Sequence, residues 1–436
     1  MMFMLLGCLS LYAADNDLIT KQITIKLEKA GTLPDKIGSS KKYKITNLKI
    51  IGEINGTDLK MIREMAERDY IGYFTDGKLS VLDLSEAKIV EGGDCYYYIN
   101  NHYNYYYYST SNDVIGSYAF KGCNRLTSLT LPDGITEIGD HAFEGCSGLT
   151  SLTLPAGITE IGFQAFYGCR GLTSLTLPDG ITSIGSYAFY GCGRLTSLNL
   201  PAGITSIGSY AFYGCSGLTS LTLPDGITEI VNDAFNGCSG LTSLTLPDGI
   251  TKIGNHAFSC CSGLTSLNLP AGITKISDGA FQYCSGLTSL TLPAGITKIS
   301  DGTFWGCNGL TSLTLPAGIT WIGDYAFYWC RELTSIYVYA KKVPEIDSNA
   351  FEEFDAKKCT LYVPMGTRDD YCASDFGKYF ENIVEFEATG IDKTTTSTDV
   401  EEVGRYSVNG QRLSAPTKGL NIVKYSDGSV KKVADR

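Results

Sequence analysis

Hydrophobic and polar positions alternate in short bursts along most of this 436-residue chain. The burst SLTLP first occurs at Ser128–Pro132. Side chains of a strand point alternately to its two faces, so Leu129 and Leu131 share one face while Ser128 and Thr130 share the other. Pro132 has no amide donor and ends the strand. Gly134 allows a turn, Ile135 and Ile138 return to the apolar side, and Ala142, Phe143 and Cys146 fill the opposite wall. The string LTSLTLP then recurs every 23 residues, from Leu126 through Leu149, Leu172, Leu195, Leu218, Leu241, Leu264, Leu287 and Leu310, with a decayed copy at Leu333. A fixed period of this length with L-x-x-L-x-L spacing predicts a solenoid. One unit buries too few side chains to outweigh the entropy of ordering its backbone. Stacking gives each Leu, Ile and Phe an identical neighbour above and below, so stability builds along the axis and both ends need covers. The predicted fold class is a mostly β α/β repeat solenoid.

The full unit, LTSLTLPxGITxIGxxAFxGCxx, resembles the leucine-rich repeats of BspA-like bacterial surface proteins over residues 113–340. The strings ITNLKIIG, GEINGTDLKMIREM and KLSVLDLSEAKIVEGG resemble that family's N-terminal cap, and Asn349 to Glu385 resembles its C-terminal cap. Leu79, Leu82 and Leu84 repeat the L-x-x-L-x-L spacing, and Cys359 and Leu361 lie one period beyond Ile336 and Val338. The resemblance implies a curved, right-handed solenoid with a parallel sheet on its concave side, capped at both ends. It also implies a surface adhesin, since members of the family act as surface adhesins and some bind extracellular-matrix proteins or other bacteria.

The ends differ in composition. Residues 1–14, MMFMLLGCLSLYAA, have the length and apolarity of a signal peptide core, with small residues for a cut after Ala13 or Ala14. LLGC, ending at Cys8, also matches a lipoprotein cleavage site loosely. Residues 15–112 read as the first cap with a Tyr-rich insertion, and 341–388 as the second. Residues 389–436 begin with the polar linker GIDKTTTSTDVEE and continue as short strands broken by NG, APTKG and SDG turns. Tyr406, Asn409, Gly410, Gln411, Arg412, Gly419, Leu420 and Ile422 in this small β module resemble a short type IX secretion sorting domain. An accessory β tail is the alternative.

Composition narrows the function. With 43% hydrophobic and 19% charged residues, the chain is not of disordered type. A net charge of −11 argues against nucleic acid or an anionic membrane as partner. Nothing after residue 14 is long and apolar enough to span a bilayer. The Cys column from Cys123 to Cys330 places one thiol per 23 residues, which suits neither zinc nor local pairing. It reads as small buried hydrophobes, with Cys95, Cys260, Cys359 and Cys372 outside the column and a Cys359–Cys372 bridge left open. His141 and His256 share a variable position with Gln164, Tyr187 and Gly279 and read as surface drift. No hydrolase, zinc-protease or phosphate-loop motif is present. Neither an enzyme nor a cofactor or metal site is expected.

Binding surfaces are better supplied. Ser and Thr columns, with Asn199 and Asn268 as variants, line the outward strand face. Tyr167, Tyr190 and Tyr213 share one repeat position with Trp305 and Tyr328, and Tyr187, Tyr210 and Tyr325 share another. Trp321 stands alone among Glu, Ser and Lys. Exposed aromatics favour interfaces, with packing between adjacent coils as the alternative. The run CYYYINNHYNYYYY interrupts the repeat register and contains Tyr96, Tyr97, Tyr98, Tyr103, Tyr105, Tyr106, Tyr107 and Tyr108. It reads equally as a contact loop or as a cover over the first coil. Two function classes follow: a monomeric exported adhesin for extracellular-matrix or bacterial surface proteins, and a glycan-capturing or structural surface protein.

Overall fold

A computed structural model describes residues 18–101 and 103–387, together with four backbone strands in the tail. The expected signal segment 1–14 with Cys8, His102, the linker 388–401 and the turn residues Asn409, Gly410 and Gln411 lie outside the described residues.

The alternating Leu bursts become strands of a parallel sheet. β1 (Ile23–Leu27), β2 (Asn47–Ile54) and β3 (Val81–Ile89) begin it, and Ser128–Thr130, Ser151–Thr153 and Ser174–Thr176 continue it. Leu82 stands opposite Leu129 and Leu152 opposite Leu175, so the apolar face stays in register from coil to coil. Ile138, Ile161, Ile184 and Ile207 form a second parallel row from the ITxI segments. The result is a mostly β parallel solenoid.

The first sheet is interrupted at two places, and both hold Asn where other units hold Thr. Ser197, beside Asn199, keeps only an isolated bridge to Ser174, and the segment around Asn268 forms no strand. Asn fits a pleated strand poorly, and its amide competes with the ladder for backbone groups.

Inside the coils, one Phe per unit forms a spine from Phe120 to Phe351. Successive rings lie 5.1–5.9 Å apart and within 17° of parallel. The Cys column runs beside it, buried, and every described cysteine is free, including Cys359 and Cys372. These thiols are more than small hydrophobes. From Cys146 to Cys330 each Sγ donates to the carbonyl of the Phe in the preceding coil, at 2.9–3.2 Å. Thr hydroxyls add a parallel ladder at the strand entry, as from Thr150 to the Thr127 carbonyl at 3.2 Å and from Thr173 to that of Thr150 at 3.0 Å.

The first coil has no coil before it, so its outward carbonyls need other donors. In the repeats the Phe120 amide donates to Ala142 and the Gly122 amide to Glu144. The equivalent carbonyls one coil earlier are taken by side chains. Arg63, on α2 after the short α1 (α1, Leu33–Ile37; α2, Gly56–Met65), donates to Ala119 at 2.9 Å and to Lys121 at 3.3 Å. The Tyr96 hydroxyl donates to Ser117 at 2.9 Å. A capping box between Asn55 and Asp58 starts α2, which carries Arg63 in its last turn.

At the other end, Ser335–Val338, Thr360–Pro364 and Asn382–Phe386 extend the sheet in parallel. Phe376 and Phe380 pack on Phe351, the last ring of the spine, and the buried Tyr371 hydroxyl donates to Ala340 at 2.7 Å. Glu387–Arg436 is a separate unit. Its strands Arg412–Leu413, Glu402–Ser407, Gly419–Tyr425 and Val430–Asp435 lie in that order in one antiparallel sheet.

Candidate interaction surface

The Tyr-rich insertion is a β-hairpin, β4 (Gly92–Asn100) and β5 (Tyr105–Thr110), with Tyr97 opposite Tyr108 and Tyr98 opposite Tyr107. Strand alternation gives it two unlike faces. Tyr97 and Tyr108 turn to the solenoid, where their rings lie 5.0 and 4.8 Å from that of Tyr118, and the Arg63 guanidinium sits over the Tyr97 ring. Tyr96 is 1% exposed and serves the first coil through its hydroxyl. Tyr98, Tyr105 and Tyr107 cluster on the other face. Tyr103, Tyr105, Tyr106 and Tyr107 are 90%, 62%, 46% and 65% exposed. The insertion therefore covers the first coil with one set of tyrosines and presents another to solvent.

The repeat position shared by Tyr118, His141, Gln164, Tyr187, Tyr210, Asp233, His256 and Tyr325 has a left-handed backbone in every coil, with φ between 51° and 64°. Gly279 and Gly302 occupy it without strain; the other side chains cost about 1–2 kcal/mol each. The position is thus under a backbone constraint rather than free to drift. His141 stacks on Tyr118 at 4.5 Å and shares a 2.6 Å hydrogen bond with Glu144. Burial pushes the Glu144 carboxyl up, but hydrogen bonds from His141 and Lys121 outweigh this and hold it below its ordinary value.

From Tyr118 an aromatic ridge runs along the solenoid through His141, Phe163, Tyr187 and Tyr210. It ends at Asp233, whose hydrogen bond and charge raise the Tyr210 hydroxyl pKa. The neighbouring column, Tyr167, Tyr190 and Tyr213, stacks at 4.6 Å within 5° of parallel. These column residues are half-buried, not exposed, because stacked rings cover faces of one another. Tyr118, His141 and Phe163 were not among the aromatic candidates; their repeat position, shared with Tyr187 or holding an apolar ring where other units hold Asp or Ser, was the signal available.

A second aromatic group lies farther along. The Trp305 ring packs against Tyr283, Tyr325 and Tyr328, and Tyr328 against Trp329. Trp321 behaves differently: among the described residues no other aromatic ring packs on it; its edge lies against Gly323, and the Lys298 ammonium stands 5.6 Å from the ring centre. The Ser/Thr strand face also gains rings at its end, where Tyr337 and Tyr362 stack at 4.4 Å beside Phe386.

Among the described residues no group of three or more His, Cys, Asp or Glu is placed to hold a metal ion. The ladder thiols are inert by burial, which pushes Cys192, Cys238, Cys284 and Cys330 up to about 12. No described helix is long and apolar enough to cross a membrane.

Comparison with solved structures finds leucine-rich repeat proteins. A T. pallidum leucine-rich repeat protein is 36% identical over 35% of this chain and 71% of its own, with a TM-score of 0.33. A leucine-rich cell surface protein from Faecalibacterium prausnitzii is 24% identical over 81% of this chain and 90% of its own, with a TM-score of 0.43. A leucine-rich repeat protein from Bacteroides ovatus is 24% identical over 66% and 90%, with a TM-score of 0.38. Comparison with curated proteins finds no match. The model of the BspA type leucine rich repeat region matches overlapping segments 92–218, 182–311, 252–375 and 284–414, most of the chain. With its 23-residue coils, Phe spine and parallel sheet, the chain belongs to the BspA-type leucine-rich repeat family.

Proposed function

We propose that this chain is an exported cell-surface interaction protein, an adhesin for extracellular-matrix or bacterial surface macromolecules. The family is one of repeat proteins that bind other proteins, which supports the class of function. The observation that carries the reading is the two-faced hairpin. Tyr96, Tyr97 and Tyr108 hold it against the first coil, while Tyr105 and Tyr107 on the opposite face, and Tyr103 and Tyr106 toward its tip, are exposed to solvent. Tyrosine supplies large amphipathic contact area at small entropic cost, and a pre-organised display limits the cost further. The aromatic ridge along the coils starts at Tyr118, the ring on which the hairpin's inward tyrosines pack. Routing by the signal segment and the sorting-like tail belongs to the same reading.

Binding to immobilised matrix proteins tests it. The full chain is expected to bind saturably, and replacement of Tyr103, Tyr105, Tyr106 and Tyr107 by Ser is expected to abolish binding without unfolding the protein. Unchanged binding by that variant excludes the hairpin as the contact.

A further inference from the structure

The variable position of the ITxI row changes character along the solenoid. It holds Glu137, Glu160 and Glu229 toward one end, then Lys252, Lys275 and Lys298, and then Trp321. Lys252 and Lys275 stand directly opposite each other, an arrangement that destabilises a sheet unless something offsets the charge. Lys252 has Glu229 at 3.3 Å, but Lys275 and Lys298 have no ion-pair partner among the described residues. Lys298 stands opposite Trp321, and Trp321 opposite Glu345. Beside the indole lies an open cleft of about 410 Å³, lined by Lys298, Thr320, Trp321, Lys342 and Glu345 among others. Lys342 is exposed and likewise has no ion-pair partner among the described residues. A chain of net charge −11 thus places two ammoniums without ion-pair partners, beside the Glu345 carboxylate, around an indole on which no other aromatic ring packs among the described residues.

We propose that this cleft binds an acidic polysaccharide, a sugar chain bearing carboxylates. A uronic acid ring has an apolar C–H face and one carboxylate, which match one indole face and the Lys298 and Lys342 ammoniums. The cleft's volume lies in the range of small-ligand sites, and Glu345 accepts from sugar hydroxyls. The tyrosine columns are unsuited to this role because their ring faces cover one another. An acidic protein is the less suitable occupant: its carboxylate side chains match the ammoniums but offer no flat C–H face to the indole. The site is separate from the hairpin and goes beyond the adhesin reading.

The test titrates the full chain with polygalacturonate, neutral dextran and polyglutamate, by calorimetry and tryptophan fluorescence. Polygalacturonate is expected to bind at least about tenfold more tightly than either control. Trp321→Ala, Lys298→Gln and Lys342→Gln are each expected to weaken it by about fivefold or more, while Trp321→Phe retains part of the affinity. Circular dichroism establishes that each variant is folded, and if Trp321→Ala is not, Trp321→Phe and Lys342→Gln decide. The hairpin Tyr→Ser variant is expected to bind polygalacturonate as the parent does, which separates this site from the proposed adhesin contact. Equal binding of dextran, equal binding of polyglutamate, unchanged affinity in the Trp321 and lysine variants, or no binding at all overturns the proposal.

Discussion

The Arg63 guanidinium lies 2.9 Å from the carbonyl of Ala119 and occupies the place that a preceding coil would fill with a backbone amide. Arg63 thereby imitates a coil at the end of the stack. Arg63→Met leaves the Ala119 and Lys121 carbonyls buried without donors, and is expected to cost about 3 kcal/mol. Arg125→Ala, which breaks only an exposed pair with Glu67, is expected to change stability by no more than about 0.5 kcal/mol. Urea unfolding of both variants measures the contrast.

The thiol ladder has a chemical signature. Alkylation of the native protein at pH 8 is expected to label Cys260 and Cys372, which are exposed, and to leave Cys123 through Cys330 of the column unlabelled until unfolding. The same burial governs base stability. The folded-state pKa of Cys192, Cys238, Cys284 and Cys330 is raised to about 12 from 9.0. Their contribution is fully present below pH 9 and is lost as pH rises through the window up to about 12, because the unfolded chain ionises first. Within that window each of these thiols steepens the loss by up to about 1.4 kcal/mol per pH unit. Replacing Cys238 by Ala is expected to reduce the steepness, as read from urea midpoints across the window.

The left-handed repeat position makes opposite predictions for two substitutions. At Gly302 a Cβ has room, with nothing nearer than 3.7 Å, so Gly302→Ala should cost only the backbone term, about 1 kcal/mol. Gln164→Gly relieves the same strain and is expected to be neutral or slightly stabilising. Thermal unfolding distinguishes them.

Restoring Thr at Asn199 and Asn268 is expected to complete the interrupted sheet. Amide exchange at 197–199 and 266–268 should slow toward that of Ser220–Thr222, with a gain of up to about 1 kcal/mol.

The period, the in-register Leu and Ile rows and the Phe and Cys columns were legible in the sequence because each depends only on spacing. What escaped it depends on contacts between residues far apart or on backbone conformation. Arg63 meets Ala119 across 56 positions, and no local pattern marks a side chain that completes a coil. The thiol hydrogen bonds needed the offset between neighbouring coils, since Cys146 meets Phe120 rather than Phe143. The tyrosine columns had the right spacing for display, but stacking at 4.6 Å turned their faces toward one another. In the hairpin, residue type alone left contact loop and cover equal, and the strand pairing divided the tyrosines between both roles.

We propose that the solvent-exposed tyrosines of the hairpin make the chain an adhesin. The most direct test is binding of the folded full chain, and of the variant with Tyr103, Tyr105, Tyr106 and Tyr107 replaced by Ser, to immobilised matrix proteins. Saturable binding by the parent and none by the equally stable variant is the predicted result. Equal binding by both, or no binding by the folded parent to any of these proteins, contradicts the adhesin reading.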